Sequence, residues 1–311
     1  MNRILVIRGG AIGDFILTLP ALKSLREANP DSQIDLLGYK HIAELANNRF
    51  YANGVRSIEY APLSRFFAKD SELSSELKNY FAGFDLVISY LFDPDQIFES
   101  NLRRCGVREF VRGPAKIDQG THAARQLVEP MEQLGLKVET LAAKLYPSAN
   151  DRQFAREFLQ DCTQPMVALH PGSGNERKNW PLQNWIDLGD SLLGSLSFQG
   201  SILIVCGEAD ATRTGRLRLI WSNPRVRFAE NLTLPHLAAM LEHGTFVGHD
   251  SGISHLAAAA GANCILLFGP TDPAIWAPQG ENVRIMQAPG GDLRGLTVEI
   301  VQNAISTNFN W

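Results

Sequence analysis

Short, mostly apolar runs recur along the chain, and most end in a glycine-rich or polar turn followed by residues of helical period. In the first half the runs are residues 4–7, 33–37, 55–60 and 85–89; in the second they are 166–169, 201–206, 226–229, 244–248 and 264–268. Apolar runs of this length without polar alternation predict strands buried on both faces, the habit of parallel sheets. Between them, residues 15–26, 71–81, 119–134, 152–159 and 234–242 carry helical patterns. A further helix follows Gly252, with Ile253, Leu256, Ala257 and Ala260 on its apolar period, and residues 297–305 predict a closing amphipathic helix. Strand, turn and helix in alternation make βαβ units and a doubly wound α/β architecture. The 311 residues suffice for two domains of about 100–200 residues each. The polar, turn-rich Pro147-Ser-Ala-Asn-Asp151 is the expected joint, giving domains 1–150 and 151–311.

Composition narrows this picture without redirecting it. The chain is 45% hydrophobic and 20% charged with a net charge of −4, which describes a globular protein and argues against one that coats nucleic acid. Its four cysteines form no CxxC pair, so neither a zinc site nor a disulfide framework is signalled. Cys206 and Cys264 both follow apolar runs and are expected to be buried thiols in a reducing compartment. The N-terminus enters a strand-like run without the features of a signal peptide, and no run approaches the roughly 20 apolar residues of a membrane span. The expected location is the cytoplasm, and peripheral contact with a membrane is compatible with it.

The candidate chemistry lies in the turns. Arg8-Gly-Gly-Ala-Ile-Gly-Asp14 links the first strand to the first helix. A dinucleotide fingerprint would need glycine at 8, 10 and 13; Arg8 breaks it, while Asp35 stands near the distance of the fingerprint's acidic residue. Asp14 falls in the first helical turn. A carboxylate there suits a cap or the helix dipole. Amid Gly9, Gly10, Ala11 and Gly13 it is also open enough to serve as a general base toward a sugar hydroxyl.

In the second half, His170-Pro-Gly-Ser-Gly-Asn-Glu-Arg-Lys-Asn-Trp-Pro181 reads either as a surface loop or as an anion cradle. Lys178 is the preferred phosphate contact and Arg177 the alternative. After the strand 201–206, Glu208 or Asp210 could hold a ribose hydroxyl or cap a helix. Val247-Gly-His-Asp-Ser-Gly-Ile-Ser-His255 then gives a strand end, an N-cap at Asp250, Ser251 and Gly252, and a helix. It is either an ordinary capped core helix or a phosphate site at a helix N-terminus, with His255 as an added donor. Arg65, Lys69, Arg103, Arg104, Arg108, Arg112, Lys116 and Arg125 make basic clusters in the first half, suited to solvent or to an anionic acceptor.

Taken together, Arg8-Gly-Gly-Ala-Ile-Gly-Asp14, His170-Pro-Gly-Ser with Lys178-Asn-Trp-Pro181, Gly248-His-Asp-Ser-Gly-Ile-Ser-His255 and Phe268-Gly-Pro-Thr-Asp-Pro273 resemble glycosyltransferase family 9. These are the ADP-heptose:lipopolysaccharide heptosyltransferases and their relatives. The resemblance implies a GT-B fold, two Rossmann-like doubly wound domains facing across a cleft. Domain 1–150 would bind the acceptor and carry the catalytic base. Domain 151–311 would bind the nucleotide sugar, with the last helix returning to the N-terminal domain. It implies inverting transfer without a metal, with the nucleotide sugar as substrate and no separate cofactor. By motif, Asp14 would be the base, with Gly10, Ala11 and Gly13 as the acceptor-side loop. Lys178, Ser173, Glu208, Asp250, Ser251, Gly252 and His255 would bind the donor. The partners implied are ADP-heptose or a similar nucleotide sugar and a glycan or glycolipid acceptor, the latter bringing peripheral contact with the inner membrane. This chain is short for a heptosyltransferase and has Asp-Ser-Gly where some members have Asp-Thr-Gly, and no motif matches within 40–130. Two other classes compete: a nicotinamide-dependent oxidoreductase and a non-catalytic nucleotide-sugar-binding protein.

Overall fold

The computed structural model describes residues 2–207 and 211–308 and divides the chain into two compact units, Met1–Leu141 and Ala142–Trp311. In the first unit, β1 (Arg3–Arg8), β2 (Gln33–Gly38), β3 (Gly54–Ser57), β4 (Leu86–Ser89) and β5 (Glu109–Arg112) form one sheet in the order β3-β2-β1-β4-β5. Every pairing is parallel. Both faces of the central strands are covered, as their unbroken apolar runs require. On one face Leu5, Ile7, Leu37 and Val87 pack with Phe66, Leu77, Phe81, Phe98 and Leu102. The helix Ile12–Ala28 is buried from Phe15 through Leu22, and such an all-round apolar helix belongs in a core.

In the second unit, β6 (Met166–Leu169), β7 (Ser201–Cys206), β8 (Val226–Glu230), β9 (Thr245–His249), β10 (Asn263–Phe268) and β11 (Val283–Gln287) are ordered β11-β10-β9-β6-β7-β8, again all parallel. Val167, Leu169, Ile202, Ile204, Val247, Ile265 and Leu267 supply the sheet side of its core. The helix Leu182–Gly194 adds Trp185, Leu188 and Leu192. The closing helix Val298–Asn308 puts Val301, Ala304 and Ile305 into this same core. Its apolar stripe is used within its own unit. Cys206 and Cys264 are both buried, as their positions beside apolar runs predict.

Strand order fixes where ligands can bind. In each unit the chain winds one way from a central strand and then restarts on that strand's other side. The reversal falls between β1 and β4 in the first unit and between β6 and β9 in the second. Neighbouring loops leave the sheet on opposite faces there and open a crevice at the carboxyl ends of the strands. The turns at 8–14, 170–181 and 249–255 all start from strands that flank these switch points.

Some sequence expectations differ from the structure for identifiable reasons. The helix expected over 119–134 is two short ones, Ala123–Leu127 and Glu129–Gln133. Pro130 has no N–H to give the Gln126 carbonyl, and its ring crowds that carbonyl. The polar stretch at 147–151 lies inside the second unit, where Ser148 accepts from the Asp151 N–H and caps the helix Ala149–Phe158. Two edge strands carry no clear apolar signal: β5 begins at Glu109 and ends at Arg112, and β11 sets exposed Arg284 and Gln287 among half-buried neighbours. Among the described residues no helix is long and apolar enough to cross a membrane.

Candidate functional site

In the first unit β1 runs straight into the turn that carries Asp14. Gly10 turns the chain at φ +97°, and a Cβ there would lie 2.8 Å from Asp14 Oδ2, so the turn needs glycine at that position. The helix begins at Ile12. Asp14 Oδ2 accepts the Ala11 N–H at 2.8 Å, which satisfies one of the helix's orphan donors. Ala11 has no side-chain oxygen to return the bond, so this is half of a capping box. Gly13 occupies the first turn of the helix between Ile12 and Asp14.

Below the carboxylate sits Arg8, a residue the sequence offers only as a break in the glycine fingerprint. Its side chain is 8% exposed, and its Nη2 lies 3.6 Å from Asp14 Oδ1. Arg8 Nη2 also donates to the Asp14 carbonyl at 3.1 Å, and Nε donates to Thr18 Oγ1 at 3.0 Å. The guanidinium lies 5.6 Å from the centre of the Tyr90 ring. Burial pulls the Arg8 pKa down and the Asp14 charge partly restores it, while burial pushes the Tyr90 phenol up. Asp14 is thus both a cap and the counter-charge of a buried cation. One third of its side chain (34%) still reaches solvent, and a carboxylate has room for further hydrogen bonds. The arginine before the glycines was visible in the sequence; a cation closing a buried strand needs an anion nearby, and Asp14 is the acid on the turn that follows.

In the second unit the switch point brings the 170–181 loop onto the end of β9. Lys178 Nζ forms an ion pair with Asp250 Oδ2 at 2.6 Å; the side chains are 30% and 9% exposed. The two turns singled out by sequence therefore meet through one charge pair. His170 joins them a second time, its N–H reaching the Val247 carbonyl at 2.9 Å and its Nδ1 lying 3.4 Å from Ser251 Oγ. Ser251 is the N-cap of the helix Gly252–Ala260 and accepts from the Ser254 N–H at 3.3 Å. Gly252 and the residue after it begin the helix with N–H groups that have no intrahelical acceptor, which is where an anion binds. His255, in the first turn, is buried.

Ser173 turns inward. Its hydroxyl faces the Asn175 carbonyl at 2.9 Å and Asn179 Oδ1 at 2.7 Å, organising the loop on itself. Arg177, with Arg213, Arg216 and Arg294, lines a separate cavity of about 830 Å³ that Trp180 and Leu182 also line. Glu176 pairs with Arg213 there. None of Ser173, Lys178, Asp250, Ser251, Gly252 or His255 lines that cavity. Glu208 and Asp210 lie outside the described residues. His249, passed over by the sequence reading, is fully buried and accepts the Trp180 N–H on Nε2 at 2.8 Å. Among the described residues no group of three or more His, Cys, Asp or Glu side chains is placed to hold a metal ion.

A sequence model described as "Glycosyltransferase family 9 (heptosyltransferase)" matches residues 109–294. The chain is 26% identical to lipopolysaccharide heptosyltransferase 1 of Escherichia coli O18:K1:H7 (strain RS218 / NMEC), over 98% of this chain and 98% of that protein. Among solved structures it resembles a family 9 glycosyltransferase from Veillonella parvula DSM 2008, with a TM-score of 0.80, 19% identity and coverage of 98% and 96%. It also resembles the E. coli heptosyltransferase WaaC with ADP, with a TM-score of 0.73, 22% identity and coverage of 99% and 100%. These likenesses put the two parallel-sheet units in the GT-B fold class.

Proposed function

Since the chain belongs to glycosyltransferase family 9, we propose that it moves heptose from ADP-heptose to a lipopolysaccharide-core or related glycan acceptor, with inversion and without a metal ion. The observation that carries this reading is the Lys178–Asp250 pair at the switch point of the second unit, beside the N-terminus of the helix Gly252–Ala260. A cation and exposed peptide N–H groups at one crevice suit a diphosphate. The E. coli WaaC structures, which hold ADP and an ADP-2-deoxy-2-fluoro heptose, agree in kind with such a donor.

In this mechanism the acceptor hydroxyl attacks the anomeric carbon from the face opposite the diphosphate. The new C–O bond forms as the bond to the phosphate oxygen breaks, and the ADP oxygen leaves with the electron pair. Asp14 takes the hydroxyl proton, a role worth about 10²–10⁴ in rate for a positioned base. Lys178 and the peptide N–H groups at Gly252 take up charge developing on the leaving group, the largest contribution in most transfers of this kind. Asp250, once Lys178 turns to phosphate, is free to accept from sugar hydroxyls. Gly10, Ala11 and Gly13 line the acceptor side, and Ser173, Glu208, Ser251 and His255 complete the donor side. The reaction is assigned to the cytoplasm, at the inner-membrane surface that would present a glycolipid acceptor.

Calorimetry with ADP, UDP, GDP and NADH tests the donor. Binding of ADP in preference to the others is expected, and NADH binding without ADP binding overturns the reading. NMR of the product's anomeric carbon tests the stereochemistry, with retained configuration as the refuting result.

A further inference from the structure

We infer that His249 is a positioning residue of the donor site proposed above: its neutral imidazole holds both ends of the loop that carries Ser173 and Lys178, so the loop meets the diphosphate already ordered. The inference rests on that donor reading for its purpose, and on the following geometry for its substance.

A peptide N–H can only donate, so the 2.8 Å bond from the Trp180 N–H requires His249 Nε2 to be bare. The ring hydrogen is then on Nδ1, which faces the Gly172 carbonyl at 3.4 Å. One ring thus accepts from the end of the loop and donates toward its beginning. The ring is 0% exposed and lies edge-to-face with Trp185 at 5.2 Å, while Trp185 packs the same way on Trp180 at 5.3 Å. In that apolar setting a bond left unmade is not replaced by water. The neighbouring Asp250 holds the loop at Lys178. Ser254 Oγ donates to the His249 carbonyl and ties the strand end to the helix Gly252–Ala260. Two consecutive residues at the end of β9 therefore hold the loop at Gly172, Lys178 and Trp180.

The intervening residues 174–177 are exposed and have little packing of their own. A loop anchored only by its chain ends would be ordered at the ligand's expense, and anchoring it beforehand raises affinity without any new contact to the ligand. A leucine at 249 would fill most of the ring's volume but offer Trp180 no acceptor. A glutamine places an amide oxygen close to the position of Nε2.

The test uses the full chain and two readouts. Hydrogen exchange of the Trp180 amide reports the clamp in the free protein, and calorimetry with ADP reports its use. His249→Leu is expected to speed Trp180 exchange at least tenfold and to raise the ADP Kd about tenfold, the scale of one lost buried hydrogen bond. His249→Gln is expected to stay within about threefold of wild type on both, because it restores the acceptor. Should His249→Leu not fold, His249→Asn, whose amide stops short of Trp180, is expected to give the same two effects. Unchanged Trp180 exchange in the folded Leu or Asn variant overturns the clamp, as does a Gln variant no better than Leu, which would reduce position 249 to filling space. A wild-type chain that binds no ADP refutes the donor reading by that measurement alone, and Trp180 exchange still decides the clamp.

Discussion

Replacing Lys178 with methionine removes a charge but keeps most of the side chain's bulk. At 2.6 Å, with an effective dielectric constant of about 20, the attraction to Asp250 is about 6 kcal/mol before desolvation and side-chain ordering are subtracted. Lys178 is 30% exposed, so water screens much of that, and the pair falls between a surface bridge and a buried one. A cost of about 1–2 kcal/mol for Lys178→Met follows, most of it from leaving the buried Asp250 carboxylate alone. Asp250→Asn should cost less, because a stranded lysine can swing into water whereas a stranded buried carboxylate cannot. The double variant should be less harmed than the sum of the single ones, with a coupling of about 1 kcal/mol. All five tryptophans, Trp180, Trp185, Trp221, Trp276 and Trp311, belong to the second unit. Tryptophan fluorescence in a urea titration therefore follows the unfolding of that unit without interference from the other. ADP calorimetry on the same proteins should show Lys178→Met weakened about 10–100-fold, as for loss of one charge-assisted phosphate contact. Additive single variants with no coupling would mean that the ion pair does not form in solution. Unchanged ADP affinity in Lys178→Met would remove the lysine from the site.

Asp14→Asn should lower transfer by about 10²–10⁴ while ADP still binds, and normal turnover would rule Asp14 out as the base. Gly10→Ala should cost about 1–3 kcal/mol, because φ is +97° and the new Cβ would press on Asp14 Oδ2. A circular-dichroism melt checks this, and an unshifted transition would show that the turn can relax. Cys264 is buried and its thiol pKa is pushed up by burial, so iodoacetamide at pH 8 should label it last of the four cysteines unless urea is present. Because unfolding returns that thiol to its ordinary pKa, the burial favours the folded state fully below that value, and the benefit is lost as pH rises beyond it. Early labelling of Cys264 in the native chain would contradict the packing of β10.

The parallel sheets were legible because their central strands are unbroken apolar runs, and the turns because glycine and polar residues collect at the carboxyl ends of those runs. The edges were not. β5 and β11 are half-exposed and mix arginine with aliphatic residues, so neither the period of a half-buried strand nor the run of a buried one stands out. Pro130 announced a break that the helical spacing around it concealed. In the site, Asp14, Lys178 and Asp250 could be singled out as candidates because carboxylates and cations in glycine turns suit ligand chemistry as well as capping. Their mutual arrangement could not, since the Lys178–Asp250 contact joins residues 72 apart in sequence. The contacts of Arg8 and His249 were not legible, for one reason. Each closes a buried strand, where a polar side chain first suggests the start of a loop, and each gains its meaning from a partner several residues or a whole domain-half away.

The Arg8–Asp14 contact also bears on how an acid at position 14 should be interpreted in related proteins. A neutral residue there would strand the buried guanidinium without its counter-charge. A lineage that abandoned the chemistry could not let position 14 drift alone. It would have to retain an acid for the sake of its fold or lose the arginine in step. An acid at 14 beside an arginine at 8 is therefore modest testimony to turnover. Joint loss of both is the clearer mark of a descendant that has given up catalysis.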